Sequence, residues 1–107
     1  DFVMAGFDMM TNIDRRTEIM HRFENAGKRI ISLSEQQIES FCGNAIELQG
    51  SAGRILALSA KAYAILRPNQ IDQLAQGLTL VPLDVSAIEL AGGSVRCMLA
   101  GIHLTRR

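Results

Sequence analysis

A period of fifty residues is the feature that most constrains the fold of this 107-residue chain. When residue n is placed on residue n+50 without a gap, the turn glycines and the expected helix ends of the two halves coincide. The identical pairs are Gly27 with Gly77, Leu33 with Leu83, Ile38 with Ile88, Glu39 with Glu89, and Gly43 with Gly93. Such a period is typical of repeat architectures, which usually need about three units to bury their faces. We therefore predict a single domain or a C-terminal fragment, built from two pseudo-repeats at 1–50 and 51–107.

Each half has the sequence pattern of strand, helix, strand, short helix and strand. In the first half we predict strands at 2–7, 29–33 and 45–49, a helix at 13–26, and a short helix from Ser34 to about Phe41 that opens with a capping box. In the second half we predict strands at 54–59, 78–83 and 95–104, helical sequence at 60–76 that restarts at Pro68, and a short helix at 84–90. The fold class is therefore α/β with small mixed sheets. Two units alone would leave sheet edges open at both ends, which offers a route to a homo-oligomer.

Composition excludes several classes of partner. The chain has 11 basic and 11 acidic residues, and its basic residues form no run longer than a pair, so we expect no nucleic-acid partner. No apolar run approaches the roughly 20 residues of a membrane span, so we expect no membrane partner. The two cysteines are too few for a disulfide framework. They indicate free thiols in a reducing compartment, which predicts a cytoplasmic location.

One short segment carries most of the chemical information: residues 92–98, of sequence GGSVRCM. Glycine lets the backbone approach a ligand closely, and arginine supplies a fixed charge that holds a carboxylate or lowers the pKa of a neighbouring thiol. A cysteine in this setting is a candidate nucleophile. On the predicted strand at 95–104, however, Arg96 and Cys97 would point to opposite faces, so Arg96 would support the loop without touching substrate.

The second half resembles the C-terminal part of the pentein superfamily of guanidine-modifying enzymes. The segments that carry the resemblance are 80–84 (LVPLD), 88–89 (IE) and 92–100 (GGSVRCMLA), and in the first half 41–48 (FCGNAIEL). The resemblance spans nearly the whole chain and is strongest to the arginine deiminase-related, amidinotransferase-like branch that includes citrulline hydrolases. It implies a five-bladed α/β propeller of pseudo-repeats, of which this chain would be a part. It also implies a small guanidino or ureido substrate and no metal or organic cofactor.

The resemblance assigns Cys97 as the nucleophile that attacks the guanidinium or ureido carbon. It implies that Gly92 and Gly93 shape the loop before this cysteine, and that Asn44 lies in a segment that approaches the site. In the fifty-residue overlay Cys97 falls on Glu47, which either faces the same site or is a solvated strand residue. The candidates for substrate binding are thus Asn44, Glu47, Gly92, Gly93 and Arg96. Cys42 has no basic neighbour in the sequence, and we expect it to be a small core residue.

The catalytic histidine of the family is expected in a motif that would fall before Asp1, and the acids that bind substrate are expected further upstream. His103 does not replace it, because six residues of strand span roughly 20 Å at about 3.3 Å per residue. His21 is expected on the solvated face of the first helix. We therefore expect part of a cysteine hydrolase that is inactive in isolation. The alternative is a non-catalytic, pentein-like binding or structural module that self-associates.

Overall fold

Two small sheets and five short helices form residues 1–105, the part of the chain that the structure, a computed structural model, describes. The strands are β1 (Phe2–Ala5), β2 (Arg29–Ser32), β3 (Ile46–Gly50), β4 (Gly53–Ser59) and β5 (Thr79–Leu83). The helices are α1 (Ile13–Asn25), α2 (Glu35–Glu39), α3 (Ala60–Ile65), α4 (Pro68–Ala75) and α5 (Ser86–Leu90), with 3-10 helices at Phe7–Met9 and Val95–Met98. The C-terminal arginine pair lies outside the described residues. None of these helices is long and apolar enough to cross a bilayer.

Both sheets are built around a parallel strand pair joined by helix. β1 pairs with β2 in parallel, and α1 connects them. β4 pairs with β5 in parallel through α3 and α4, while β3 adds to β4 as an antiparallel hairpin partner. The expected α/β class with mixed sheets is confirmed. Within residues 1–105 the strands do not close into a propeller, and the division into two pseudo-repeats stays a prediction.

The predicted strand at 95–104 is wrong. Val95–Met98 is a 3-10 helix, in which Cys97 N–H donates to the Ser94 carbonyl at 3.0 Å and Leu99 N–H donates to the Arg96 carbonyl at 3.3 Å. In this turn the Arg96 N–H donates to Asn44 Oδ1 at 3.0 Å, so this backbone donor is engaged by a side chain and not by a neighbouring strand. Arg96 and Cys97 therefore do not alternate across a sheet, and the expectation that they point to opposite faces no longer applies.

Local signals in the sequence account for most helix ends. Ser34 accepts a hydrogen bond from Gln37 N–H while the Gln37 side chain accepts from Ser34 N–H, which is the predicted capping box. Pro68 occupies the first turn of α4, so the helical stretch is divided into α3 and α4 at the expected place. Gly27 follows α1 with a φ of 75°, a conformation that glycine adopts without steric cost.

The hydrophobic core lies where β2 and β4 meet α3 and α4. Its buried members are Ile31, Leu33, Cys42, Leu56, Leu58, Ala62, Leu66, Leu74 and Leu78. Cys42 is fully buried, as expected of a core residue. By contrast, α1 buries no side chain completely, so its apolar stripe is only half covered.

A buried pair of glutamines joins the two halves of the chain. Gln37 Nε2 donates to Gln70 Oε1 at 2.7 Å, and Gln70 Nε2 donates back to Gln37 Oε1 at 3.3 Å. Each also donates to a backbone carbonyl of a neighbouring element, Ile65 at 3.1 Å for Gln37 and Ser32 at 2.9 Å for Gln70. Because these polar groups are buried and fully partnered, they fix how α2 sits against α4. The end of α2 leads directly to the site.

Candidate functional site

Cys97 lies exposed on the 3-10 helix that follows α5. Its sulfur receives a hydrogen bond from Asn44 Nδ2 at 3.2 Å. Asn44 belongs to the loop between α2 and β3, so the candidate nucleophile is held by a residue from the other half of the chain. The structure therefore brings together two segments that the sequence marked separately.

The Arg96 backbone sets the orientation of the Asn44 side chain. Arg96 N–H donates to Asn44 Oδ1 at 3.0 Å and, less directly, to the Asn44 carbonyl at 3.3 Å. With Oδ1 engaged as an acceptor, Nδ2 is the amide atom that faces the Cys97 sulfur. The Arg96 guanidinium in turn donates from Nη1 to the Ala45 carbonyl at 3.4 Å. Arg96 thus connects the turn to the Asn44 loop, and its side chain supports that loop.

The loop that carries Asn44 begins with an unusual helix end. After α2, Phe41 has a φ of 65°, a left-handed conformation normally taken by glycine. Cys42 N–H donates to the Gln37 carbonyl and Phe41 N–H to the Ile38 carbonyl, which together form a Schellman motif with phenylalanine at C′. Asn44 N–H then donates to the Phe41 carbonyl at 2.9 Å. The strained residue reverses the chain and places Asn44 opposite the cysteine turn.

Two glycines shape the entry to that turn. Gly92 ends α5 with a φ of 94°, where a side chain would be strained. A Cβ on Gly93 would lie 3.3 Å from Cys97 Cβ and 3.7 Å from its sulfur, so a side chain there would press on the candidate nucleophile. Both positions therefore control the path of the chain into Cys97.

The two thiols differ in their ionisation. The pKa of the Cys97 thiol is lowered by three neighbours. In order of decreasing effect they are a hydrogen bond from the Ser94 backbone, a hydrogen bond from the Asn44 side chain and the charge of Arg96. Burial raises the pKa of Cys42 to about 11, and its sulfur lies 3.4 Å from the Ala62 carbonyl. Of the two thiols, Cys97 is therefore the one that ionises more readily, and thiolate is the nucleophilic form.

Glu47 does not contact this cluster. It lies on β3, and its carboxylate accepts a hydrogen bond from Arg54 Nε at 2.6 Å. Arg54 also approaches Asp1 at 3.5 Å, which makes a small surface ion network. Glu47 and Arg96 both line a cavity of about 210 Å³ that reaches inward to Cys42. Glu47 thus lies exposed on β3 at the edge of this cavity, and its participation in a site stays a prediction.

The histidines and possible metal ligands do not join the cluster. Within residues 1–105 no hydrogen bond links Cys97 to His21, which lies exposed on α1, or to His103. No group of three His, Cys, Asp or Glu side chains in this part of the chain is placed to share a metal ion. The residues that do come together are Asn44, Gly93, Arg96 and Cys97.

Sequence reasoning missed two residues at the site. Ser94 is completely buried, and its hydroxyl donates to the Glu89 carboxylate at 3.1 Å. Glu89 lies on α5, and the sequence marked it only as one of the residues repeated in the fifty-residue overlay. The available signal for Ser94 was a serine directly after a glycine pair, because serine side chains often form hydrogen bonds with nearby groups.

An exposed cysteine on a glycine-led turn, in a small α/β fold, is consistent with a guanidino-modifying enzyme of the pentein superfamily. The chain matches the family model described as N,N dimethylarginine dimethylhydrolase, eukaryotic, over residues 1–104. It therefore belongs to the dimethylarginine dimethylhydrolase family, and the predicted membership of the pentein superfamily is confirmed. A search of curated proteins and a search of solved structures gave no match.

Proposed function

We propose that Cys97 is the nucleophile of a hydrolase that cleaves a C–N bond of a guanidino or ureido substrate. The observation that carries this proposal is the exposed Cys97 thiol, with its lowered pKa and its hydrogen bond from Asn44. The family name adds the substrate class, an arginine methylated on its guanidino group. A cysteine with these properties is suited to attack an electrophilic carbon.

The reaction proceeds by two substitutions at one carbon. The Cys97 thiolate forms an S–C bond to the guanidinium carbon, and the C–N bond to the leaving amine breaks as that amine takes up a proton. For an N,N-dimethylated substrate the amine is dimethylamine, and a thiouronium remains on Cys97. Water then adds to the same carbon, the S–C bond breaks, and the product is a ureido compound with the thiolate regenerated. The sum is hydrolysis, with no net transfer of electrons.

The residues around Cys97 have distinct roles in this proposal. Asn44 holds the thiolate in place, a different role from the substrate contact expected from the sequence. Gly93 keeps the space beside the sulfur free of a side chain, so that a planar guanidinium can approach, and Gly92 allows the left-handed turn that leads into it. Arg96 and Glu47 line the cavity of about 210 Å³. In this proposal they contact the polar end of the substrate in addition to the protein contacts described above.

The proton transfers need a base that the Cys97 cluster does not contain. In this proposal a histidine outside residues 1–107 accepts and returns the proton, as the family resemblance implies. The isolated chain therefore binds electrophiles at Cys97 without turning over substrate. A cytoplasmic location remains part of the same proposal, because the mechanism requires a reduced thiol.

The experiment is covalent labelling with chloroacetamidine, whose cationic amidine resembles the guanidinium group. Chloroacetamide, its neutral analogue, is the matched control, and peptide mass mapping separates Cys97 from Cys42. We expect chloroacetamidine to modify Cys97 well ahead of Cys42. We also expect the ratio of the Cys97 labelling rates with chloroacetamidine and chloroacetamide to be larger in the folded chain than after denaturation. The same rate ratio in the folded and the denatured chain would contradict a site that recognises a guanidinium group.

A second candidate is a non-catalytic module that self-associates. Large apolar side chains are exposed in the C-terminal part of the described chain, with Leu90 at 90%, Leu104 at 83% and Ile102 at 79%. Exposed apolar surface of this kind favours association when it is contiguous. Sedimentation velocity over a range of concentrations tests this candidate. Reversible association together with ordinary labelling of Cys97 would favour it over the hydrolase.

A further inference from the structure

We propose that Ser94 and Glu89 are positioning residues that hold the Cys97 turn against α5. The proposal deepens the hydrolase function and rests on it, because it concerns how the nucleophile is held. Neither residue is expected to touch substrate. Glu89 acts on Ser94, and Ser94 acts on the backbone that carries Cys97.

Ser94 joins the turn to the helix through its side chain. Its exposed fraction is 0%, and its hydroxyl donates to Glu89 Oε2 at 3.1 Å. The next residue, Val95, is also buried, so the start of the turn is packed into the protein while Cys97 remains outside. A buried hydroxyl that loses its only acceptor costs more than the net gain of the bond it made. The Glu89 carboxylate therefore defines the position of Ser94.

The main chain of Ser94 contacts Cys97 within the turn. Its carbonyl accepts the Cys97 N–H at 3.0 Å, which closes the turn. The Ser94 backbone is also the first contributor to the lowered pKa of the Cys97 thiol, ahead of Asn44 and Arg96. Arg96 is a charged group that lowers this pKa, whereas Glu89 contacts the turn through the Ser94 hydroxyl. Glu89 thus influences the thiol by fixing geometry.

This separation of geometry from charge makes the proposal testable. Glu89→Gln removes the charge but keeps an oxygen acceptor for Ser94. Glu89→Ala removes both, and Ser94→Ala removes the donor. Ser86→Ala is the matched control, because Ser86 begins the same helix and its hydroxyl donates to Asp84 Oδ1 at 3.0 Å, with no hydrogen bond to the Cys97 turn within residues 1–105. If the Glu89 charge acts on Cys97, Glu89→Gln and Glu89→Ala should change the reactivity of Cys97 equally. If geometry matters, Cys97 in Glu89→Gln should react as it does in the unchanged chain.

The measurement is the pH dependence of Cys97 alkylation by iodoacetamide, resolved by peptide mapping in the full chain. We expect Ser94→Ala and Glu89→Ala to move the midpoint to higher pH. At neutral pH the rate should fall about 2- to 10-fold, the ratio that corresponds to one ordinary hydrogen bond. Glu89→Gln and Ser86→Ala should retain the midpoint of the unchanged chain. Circular dichroism and urea unfolding verify that each variant folds.

Unchanged midpoints in folded Ser94→Ala and Glu89→Ala would overturn the proposal, and so would equal shifts in Glu89→Gln and Glu89→Ala. If Ser94→Ala does not fold, the two Glu89 variants still make the comparison, since Glu89 is only half-buried. Iodoacetamide is neutral, so this result does not depend on recognition of a guanidinium. Suppose that chloroacetamidine labels Cys97 no better than chloroacetamide, but that the variants still differ in their alkylation midpoints. That result would contradict the hydrolase function and support the positioning role.

Discussion

The side-chain amide of Asn44 donates to the sulfur of Cys97 at 3.2 Å, although the two residues lie 53 positions apart in the chain. The same amide accepts the Arg96 N–H through its oxygen, so one side chain orients both the thiol and the backbone beside it. Asn44 itself is placed by the left-handed turn at Phe41. The candidate nucleophile therefore depends on the first half of the chain as much as on its own segment.

Substitution of Asn44 should change the reactivity of Cys97 in a graded way. Asn44→Ala removes the donor to the sulfur, and we expect Cys97 alkylation at neutral pH to slow by about 2- to 10-fold. Asn44→Asp keeps an acceptor for Arg96 N–H but places a like charge beside the thiolate, which raises the thiol pKa further. Cys97 should be alkylated fastest in the unchanged chain, more slowly in Asn44→Ala and most slowly in Asn44→Asp. Rates for both variants equal to that of the unchanged chain would show that Asn44 does not act on the thiol.

Gly93→Ala should disturb the thiol without a change in charge. The new Cβ would lie 3.3 Å from Cys97 Cβ, which is tight enough to displace the cysteine side chain from Asn44. We expect chloroacetamidine labelling of Cys97 to fall by about threefold or more, consistent with a lost hydrogen bond. Gly77→Ala is the control, because its Cβ would meet only Phe2 at an ordinary 3.9 Å. Equal labelling in both variants would argue against close packing at Gly93.

The glutamine pair should contribute to global stability. Gln70→Ala leaves Gln37 Oε1 and Nε2 short of a partner in a buried position, and we expect the free energy of unfolding to fall by about 1–3 kcal/mol. Urea denaturation followed by circular dichroism measures this. Gln49→Ala is the control, since the Gln49 side chain is exposed and its one hydrogen bond among the described residues is to the neighbouring Gly50 carbonyl. A loss no larger than that of Gln49→Ala would mean that the pair is dispensable.

Cys42 should make the protein less stable at alkaline pH. Burial raises the pKa of its thiol from 9.0 to about 11, whereas in the unfolded chain the thiol titrates near the ordinary value. Its contribution to stability is therefore fully present below pH 9 and is lost as the pH rises through about 11. Urea unfolding with reductant at several pH values should show a steeper alkaline decline in the unchanged chain than in Cys42→Ala. Parallel declines would show that Cys42 is not protected from ionisation.

Local signals in the sequence were sufficient to predict most of the helices and strands. The capping box at Ser34, the helix restart at Pro68 and the glycine after α1 each act over a few residues, and the structure contains all three. The cysteine and glycines of segment 92–98 were also recognisable, because their residue types alone suggest a site. Membership of the pentein superfamily followed from that segment and is confirmed by the family match.

The turn at Cys97 was not predicted, and a residue from the other half of the chain takes part in it. The sequence at 95–104 favours a strand, but Val95–Met98 forms a 3-10 helix in which the Arg96 N–H donates to the Asn44 side chain. The left-handed Phe41 is equally hidden, since glycine is the residue expected at that position of a Schellman motif. Both places depart from local preference, and both belong to the site, where such departures are expected.

The most direct test of the account is a pH titration of both thiols in the unchanged chain, followed by alkylation with iodoacetamide and peptide mapping. The account predicts that Cys97 becomes reactive at a pH below that of an ordinary thiol, while Cys42 stays protected until the pH nears 11. It also predicts that denaturation brings the two titrations together. A Cys97 that titrates in the folded chain at or above the pH of the denatured chain would contradict the claim that this fold activates it.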